Sequence, residues 1–114
     1  MARAALLRIT VEPLDDARVI RPAGEIDVST ITKLRRELDA AREEAPTTLL
    51  DLSDVTFMDS TGLHLLLKAS RESPDGQGAF FILHPSPVVQ RLIDLSGTAS
   101  LLRFADPAVE EVVG

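Results

Sequence analysis

Thr48-Leu49-Leu50-Asp51-Leu52, followed at once by Ser53-Asp54-Val55-Thr56-Phe57-Met58-Asp59-Ser60-Thr61-Gly62-Leu63, is the stretch that decides the fold. Its first five residues form a short apolar run, the pattern of a central strand buried on both faces. The chain then crosses a short loop carrying Phe57 and Met58. A helix opens at Asp59-Ser60 and runs over residues 60–72, with Leu63, Leu66 and Leu67 turned inward. A strand that feeds a helix in this way belongs to the alternating pattern of a mainly parallel sheet.

Downstream the alternation continues. Ser73-Pro74-Asp75-Gly76-Gln77-Gly78 has the composition of a loop, and Ala79-Phe80-Phe81-Ile82-Leu83 reads as another buried strand. Ser86-Pro87 caps a helix whose apolar stripe is Val89, Leu92 and Ile93 and whose end is marked by Gly97. Leu101 to Phe104 reads as a last short strand, and Asp106-Pro107 as the cap of a terminal helix carrying Val109, Val112 and Val113. Upstream, Ile31, Leu34, Leu38 and Ala41 recur at helical spacing behind the candidate N-caps Ser29 and Thr30, and Pro46 stops that helix. Leu7 to Glu12 alternates as a strand with one wet face, and Pro13-Leu14-Asp15-Asp16 supplies a turn. Ala17 to Ala23 is a second strand, broken by Gly24-Glu25-Ile26-Asp27. The first two strands are expected to pair as an antiparallel hairpin at a sheet edge, where Pro22 is tolerated. The expectation is an α/β fold: a mixed sheet, mostly parallel with an antiparallel N-terminal edge strand, and crossover helices packed on it. Without repeats or a long linker, residues 1–114 read as a single domain.

Composition narrows the function classes. Eighteen acidic against twelve basic residues give a net charge of −6, a field that disfavours nucleic acid and anionic membrane surfaces. There is no cysteine, so disulfides, thiol catalysis and thiolate metal sites are excluded. The opening residues run straight into a strand pattern rather than a signal peptide, and no apolar stretch is long enough for a membrane span. A cytoplasmic protein, monomeric when free, is expected.

Chemistry concentrates where the buried strand hands over to the helix, since ligand sites on open α/β sheets lie beyond the carboxyl ends of strands. The plain structural reading of Asp59 or Ser60 is a helix cap worth about 1 kcal/mol. Gly62, a poor helix former in the first turn, would let another backbone or a partner approach closely. Residues 50–63 also resemble the signature of STAS domains, particularly anti-sigma factor antagonists. Gly24-Glu25-Ile26-Asp27 is similar to that family's Gly-Glu-Leu-Asp loop, and Pro87-Val88-Val89-Gln90-Arg91-Leu92 with Leu95-Ser96-Gly97 is similar to its later helix and turn.

The resemblance implies that Ser60 is a phosphoacceptor. It implies a kinase-type anti-sigma factor that uses ATP to phosphorylate Ser60, and a serine phosphatase that resets it. The unmodified form would bind the anti-sigma factor and free its sigma factor; the phosphorylated form would let go. Asp27, Asp59, Thr61, Gly62 and His64 form the expected surroundings of the phosphosite and partner contact. The other reading is a stand-alone STAS subunit regulating a phospholipid or anion transporter in a membrane.

Charge supplies the logic independently. A phosphate adds about −1.5 to −2 charges beside Asp59 and Asp27, so release is expected at the interface rather than through refolding. Asp27 alone also reads as a cap of its loop, and Thr61 as a residue that packs or caps. His64 follows Ser60 by four residues, which invites a serine–histidine dyad, but no Gly-x-Ser-x-Gly elbow is present. It also departs from the small or basic residue common there in the family. A solvated helix histidine is the default. His84 precedes a proline as a loop residue, and two distant histidines make no metal site. The acidic pairs read as solvated surface and the four phenylalanines as core. No cofactor or metal is expected, and no enzymatic activity.

Overall fold

The computed structural model describes residues 6–73 and 79–106. Strand β1 (Leu7–Leu14) turns through Asp15-Asp16 into β2 (Ala17–Ile26), with which it pairs antiparallel from Leu7↔Gly24 to Leu14↔Ala17. Asp15 takes a left-handed φ of 52°, which aspartate tolerates better than most residues. Helix α1 (Ile31–Glu44) crosses to β3 (Thr47–Asp51), which lies parallel to β2. After the short β4 (Val55–Met58) and helix α2 (Ser60–Arg71), β5 (Ala79–Leu83) lies parallel to β3. Helix α3 (Pro87–Ser96) and a single 3-10 turn (Ala99–Leu101) follow. The sheet order is β1-β2-β3-β5, with β4 also pairing β2, so the mixed and mainly parallel architecture is as the sequence suggests.

Three local expectations are corrected. Gly24 does not break β2; the strand continues to Ile26 because β4 supplies a fresh parallel partner from Gly24 onward. Gly24 has φ 124°, and a Cβ there would lie 2.0 Å from the Leu6 carbonyl oxygen, so only glycine fits. Pro22 sits on an inner strand rather than an edge, in the gap between the residues that pair β3 (Ala17–Ile20) and those that pair β4 (Gly24–Ile26). Its missing N–H therefore falls where the parallel ladder is already interrupted. The supposed loop at Val55–Met58 is a strand with a bulge: Gly24 pairs Val55 but Glu25 pairs Phe57. The extra residue lets both Val55 and Met58 point into the core while Thr56 and Phe57 stay outside.

One main core lies between the helices and a single sheet face. It joins Ile31, Leu34, Leu38 and Ala41 of α1 to Ile20, Leu50, Phe80 and Ile82 of the strands. In α2, Leu63 and Leu66 point inward as expected, but the next buried leucine is Leu65, while Leu67 is only half-buried. Val19, Leu49 and Leu83 form a smaller cluster on the opposite face, so β3 is buried on both sides, as its apolar run requires. Helix α3 begins with Ser86, whose hydroxyl accepts from the Val89 N–H, and ends at left-handed Gly97. Leu101–Phe104 is not a strand: the 3-10 turn consumes its start, and Phe104 makes one isolated parallel bridge to Ile82. The expected terminal helix lies outside the described residues, as do residues 74–78 of the expected loop. Among the described residues, no helix is long and apolar enough to cross a membrane.

Candidate functional site

The ends of β2 and β4 fix the site. Ile26 pairs Met58, and the Asp59 N–H donates to the Ile26 carbonyl at 3.2 Å, so Asp27 and Asp59 leave the sheet side by side. Asp59 is the N-cap of α2: its Oδ1 accepts from the backbone N–H of Thr61 at 2.9 Å and of Gly62 at 3.3 Å. That resolves the choice between Asp59 and Ser60. With capping assigned to the carboxylate, Ser60 is exposed, and among the described residues its hydroxyl has no hydrogen-bond partner. Thr61 is half-buried with its hydroxyl likewise unengaged, and His64 is exposed on the following turn.

Gly62 is explained from below rather than from outside. It is buried, and a Cβ would meet Met58 Cγ at 2.6 Å and Ile26 Cγ2 at 2.9 Å. The glycine lets the first turn of α2 settle onto the strand ends, so of the two expected close approaches, by another part of the chain or by a partner, the structure shows the first.

Asp27 holds the β2–α1 loop. Its Oδ1 accepts from the Ser29 N–H at 2.9 Å and from the Ser29 hydroxyl at 2.6 Å. Thr30 is the N-cap residue of α1, but its hydroxyl turns back, donating to the Glu25 carbonyl at 2.8 Å and accepting from the Asp27 N–H at 3.0 Å. The Asp27 carboxyl lies below the usual aspartate range, chiefly because the Ser29 hydroxyl donates to it. Partial desolvation opposes this, and the backbone N–H of Ser29 and contacts with Thr30 add to the lowering.

Two residues of this rim were not singled out by sequence. Val28 is 76% exposed and Phe57 is 45% exposed, so the phenylalanines are not all core. Phe104, at 41%, departs from that expectation too. Phe57 was hidden by the bulge, because simple alternation from buried Val55 would turn it inward. Val28 did carry a signal, an apolar residue set between Asp27 and Ser29. His64 and Ser60 stand four apart with no bond between them, and none of the described residues orients the imidazole toward the hydroxyl. Among the described residues, no group of three or more His, Asp or Glu side chains is arranged to hold a metal ion.

The strand–cap–helix junction and the Gly24-Glu25-Ile26-Asp27 strand end beside it carry two of the motifs on which the sequence resemblance rests. The STAS domain profile matches residues 8–111. The chain belongs to the STAS domain family. A curated relative, the anti-sigma F factor antagonist of Paenibacillus polymyxa, is 30% identical over 105 residues, covering 90% of each chain. Among solved structures, an anti-sigma factor antagonist from Mycobacterium paratuberculosis shares the fold with a TM-score of 0.80 at 24% identity, covering 98% of this chain and 97% of that one. The anti-sigma factor antagonist SpoIIAA in its unphosphorylated form matches this STAS chain with a TM-score of 0.69 at 27% identity, covering 92% and 96%. The Bacillus cell fate determinant SpoIIAA in the phosphorylated form gives 0.65 at 26%, covering 92% and 99%.

Proposed function

We propose that this STAS protein is an anti-sigma factor antagonist that works as a phosphorylation-controlled partner switch in the cytoplasm, without enzymatic activity of its own. The observation that carries the proposal is the Ser60 hydroxyl, exposed at the mouth of α2 and without a hydrogen-bond partner among the described residues, while Asp59 does the capping. Similarity to a protein that has been solved both unphosphorylated and phosphorylated supports the same reading. In it, a kinase-type anti-sigma factor docks over Ser60, with Val28 and Phe57 as apolar anchors, and transfers phosphate from ATP to the hydroxyl. Asp27 and Asp59 hold the two loops in shape and make the rim negative. A serine phosphatase restores the unmodified form.

The reading is tested by incubating the protein with ATP and a candidate kinase-type anti-sigma factor, then locating the phosphate by mass spectrometry. Modification at Ser60, absent from Ser60→Ala, is expected. A second arm compares complex formation by wild type and by the chain carrying phosphoserine at position 60. Equal affinity in that arm would remove the switch, whatever the kinase does.

A further inference from the structure

One turn along α2 from Ser60 lies a half-open cleft of 310 Å³ between α1 and α2, lined by Arg35, Thr61, His64, Leu65 and Lys68. Its polar groups are all potential hydrogen-bond donors: a guanidinium, a hydroxyl, an imidazole and an ammonium. Among the described residues, no hydrogen bond or ion pair engages Arg35, His64 or the Thr61 hydroxyl. Lys68 has only a loose pairing with exposed Glu72, 3.9 Å away. Among the described residues no carboxylate lines this cleft, although the chain carries eighteen acidic residues against twelve basic ones. A neighbouring cavity of 70 Å³ shares Arg35, Leu65 and Lys68 with it and is lined in addition by Asp39 and Glu72.

An arginine on one helix shares the cleft with a lysine, an imidazole and a hydroxyl on the other: two groups that can only donate beside two that can donate. Arginine offers its planar fork to oxyanions, and lysine adds a point charge. We propose that this cleft binds a phosphate-type oxyanion, held by Arg35 and Lys68 with Thr61 and His64 completing the donor ring. It is a site separate from the Ser60 hydroxyl and does not require that hydroxyl to be modified in the cell. Because Thr61 and His64 flank Ser60 on the first turns of α2, an anion held there changes the charge met by whatever docks over Ser60.

The same chemistry has two sources, a free phosphate anion or the phosphate of a modified Ser60. Inorganic phosphate is titrated into the unmodified chain at constant ionic strength, following side-chain NMR signals of Arg35, His64 and Lys68. Saturable shifts confined to these groups are expected, with binding weakened roughly threefold to tenfold by Arg35→Gln. Arg35 is exposed, so the variant keeps the fold, checked by its unchanged urea midpoint. The titration is repeated on chain carrying phosphoserine at position 60. If that chain shows the shifts before any anion is added and no longer titrates, the bound phosphate is the protein's own. If it titrates like the unmodified chain, the ligand is free anion. Shifts that never saturate, that chloride reproduces, or that Arg35→Gln leaves unaltered overturn the proposal, and none of these outcomes bears on whether Ser60 is phosphorylated.

Discussion

Replacing Gly62 by alanine pits two effects against each other. A new Cβ would lie 2.6 Å from Met58 Cγ, 2.9 Å from Ile26 Cγ2 and 3.1 Å from Met58 Sδ. Met58 is unbranched and can swing aside. Ile26 cannot, because it is β-branched, fully buried and fixed in the ladder with Met58. Overpacking of this kind costs about 1–3 kcal/mol, while alanine recovers up to about 1 kcal/mol of helix propensity over glycine. The net expectation is a loss of about 1–2 kcal/mol, and for a domain of this size each kilocalorie lowers Tm by about 4–8 °C. In urea the midpoint should fall at unchanged slope. Trimming Met58 to alanine removes the nearest clash, so Gly62→Ala with Met58→Ala should be less destabilised than the sum of the two single changes. If Gly62→Ala is as stable as wild type or more so, internal packing does not explain the glycine. The residue would then serve whatever docks outside.

The other expectations follow from neighbouring groups. Asp59→Ala leaves the Thr61 and Gly62 amides without their cap and should cost about 0.5–2 kcal/mol, whereas Asp59→Asn retains most of it and Ser60→Ala stays within about 0.5 kcal/mol of wild type by urea unfolding. The folded-state pKa of Asp27 is depressed, so its stabilising contribution is present above the ordinary aspartate value of about 3.9 and is lost only as pH falls through the lower folded value. A carboxyl NMR titration should place its midpoint below that of an exposed aspartate and show it rising in Ser29→Ala; an unmoved midpoint contradicts the assigned cause. Phe57→Ala removes a ring that is 45% exposed, so stability should change little, while binding of the docking partner should weaken by about tenfold or more if the ring is an anchor.

Most of the architecture was legible because it rests on period and punctuation. Ile31, Leu34, Leu38 and Ala41 mark α1 by spacing alone, and Ser86-Pro87 and Gly97 bracket α3 to the residue. The β2–β4 pairing was not legible, for a physical reason. A bulge spends one residue without a partner, so the buried residues Val55 and Met58 fall three apart instead of at the spacing of two that marks a strand. Gly24 misled in a related way: read as a breaker, it is the residue that allows the Leu6 carbonyl to approach a continuing strand. At the site, residue types were readable and their division of labour was not. That Asp59 caps and Ser60 is left free depends on which oxygen meets the Thr61 and Gly62 amides. The α1–α2 cleft was beyond reach of any local pattern, since Arg35 and Lys68 meet only through the packing of two helices.

The same division of labour bears on where a phosphate on Ser60 would act. A helix N-terminus ordinarily welcomes an anion through its free amides and dipole. Here the Thr61 and Gly62 amides are already committed to Asp59, and the Leu63 N–H donates to the Asp59 carbonyl. A phosphate added beside that cap therefore finds little of the usual amide cradle and meets a carboxylate instead. At about 4 Å such a like-charge encounter costs about 1 kcal/mol per charge pair in water and several-fold more where a partner excludes water. Solvent relieves it in the free protein, which need not refold. A docked partner takes that solvent away, and every 1.4 kcal/mol of the resulting penalty loosens the complex about tenfold. The cap that leaves Ser60 available is thus also what makes its modification costly to cover.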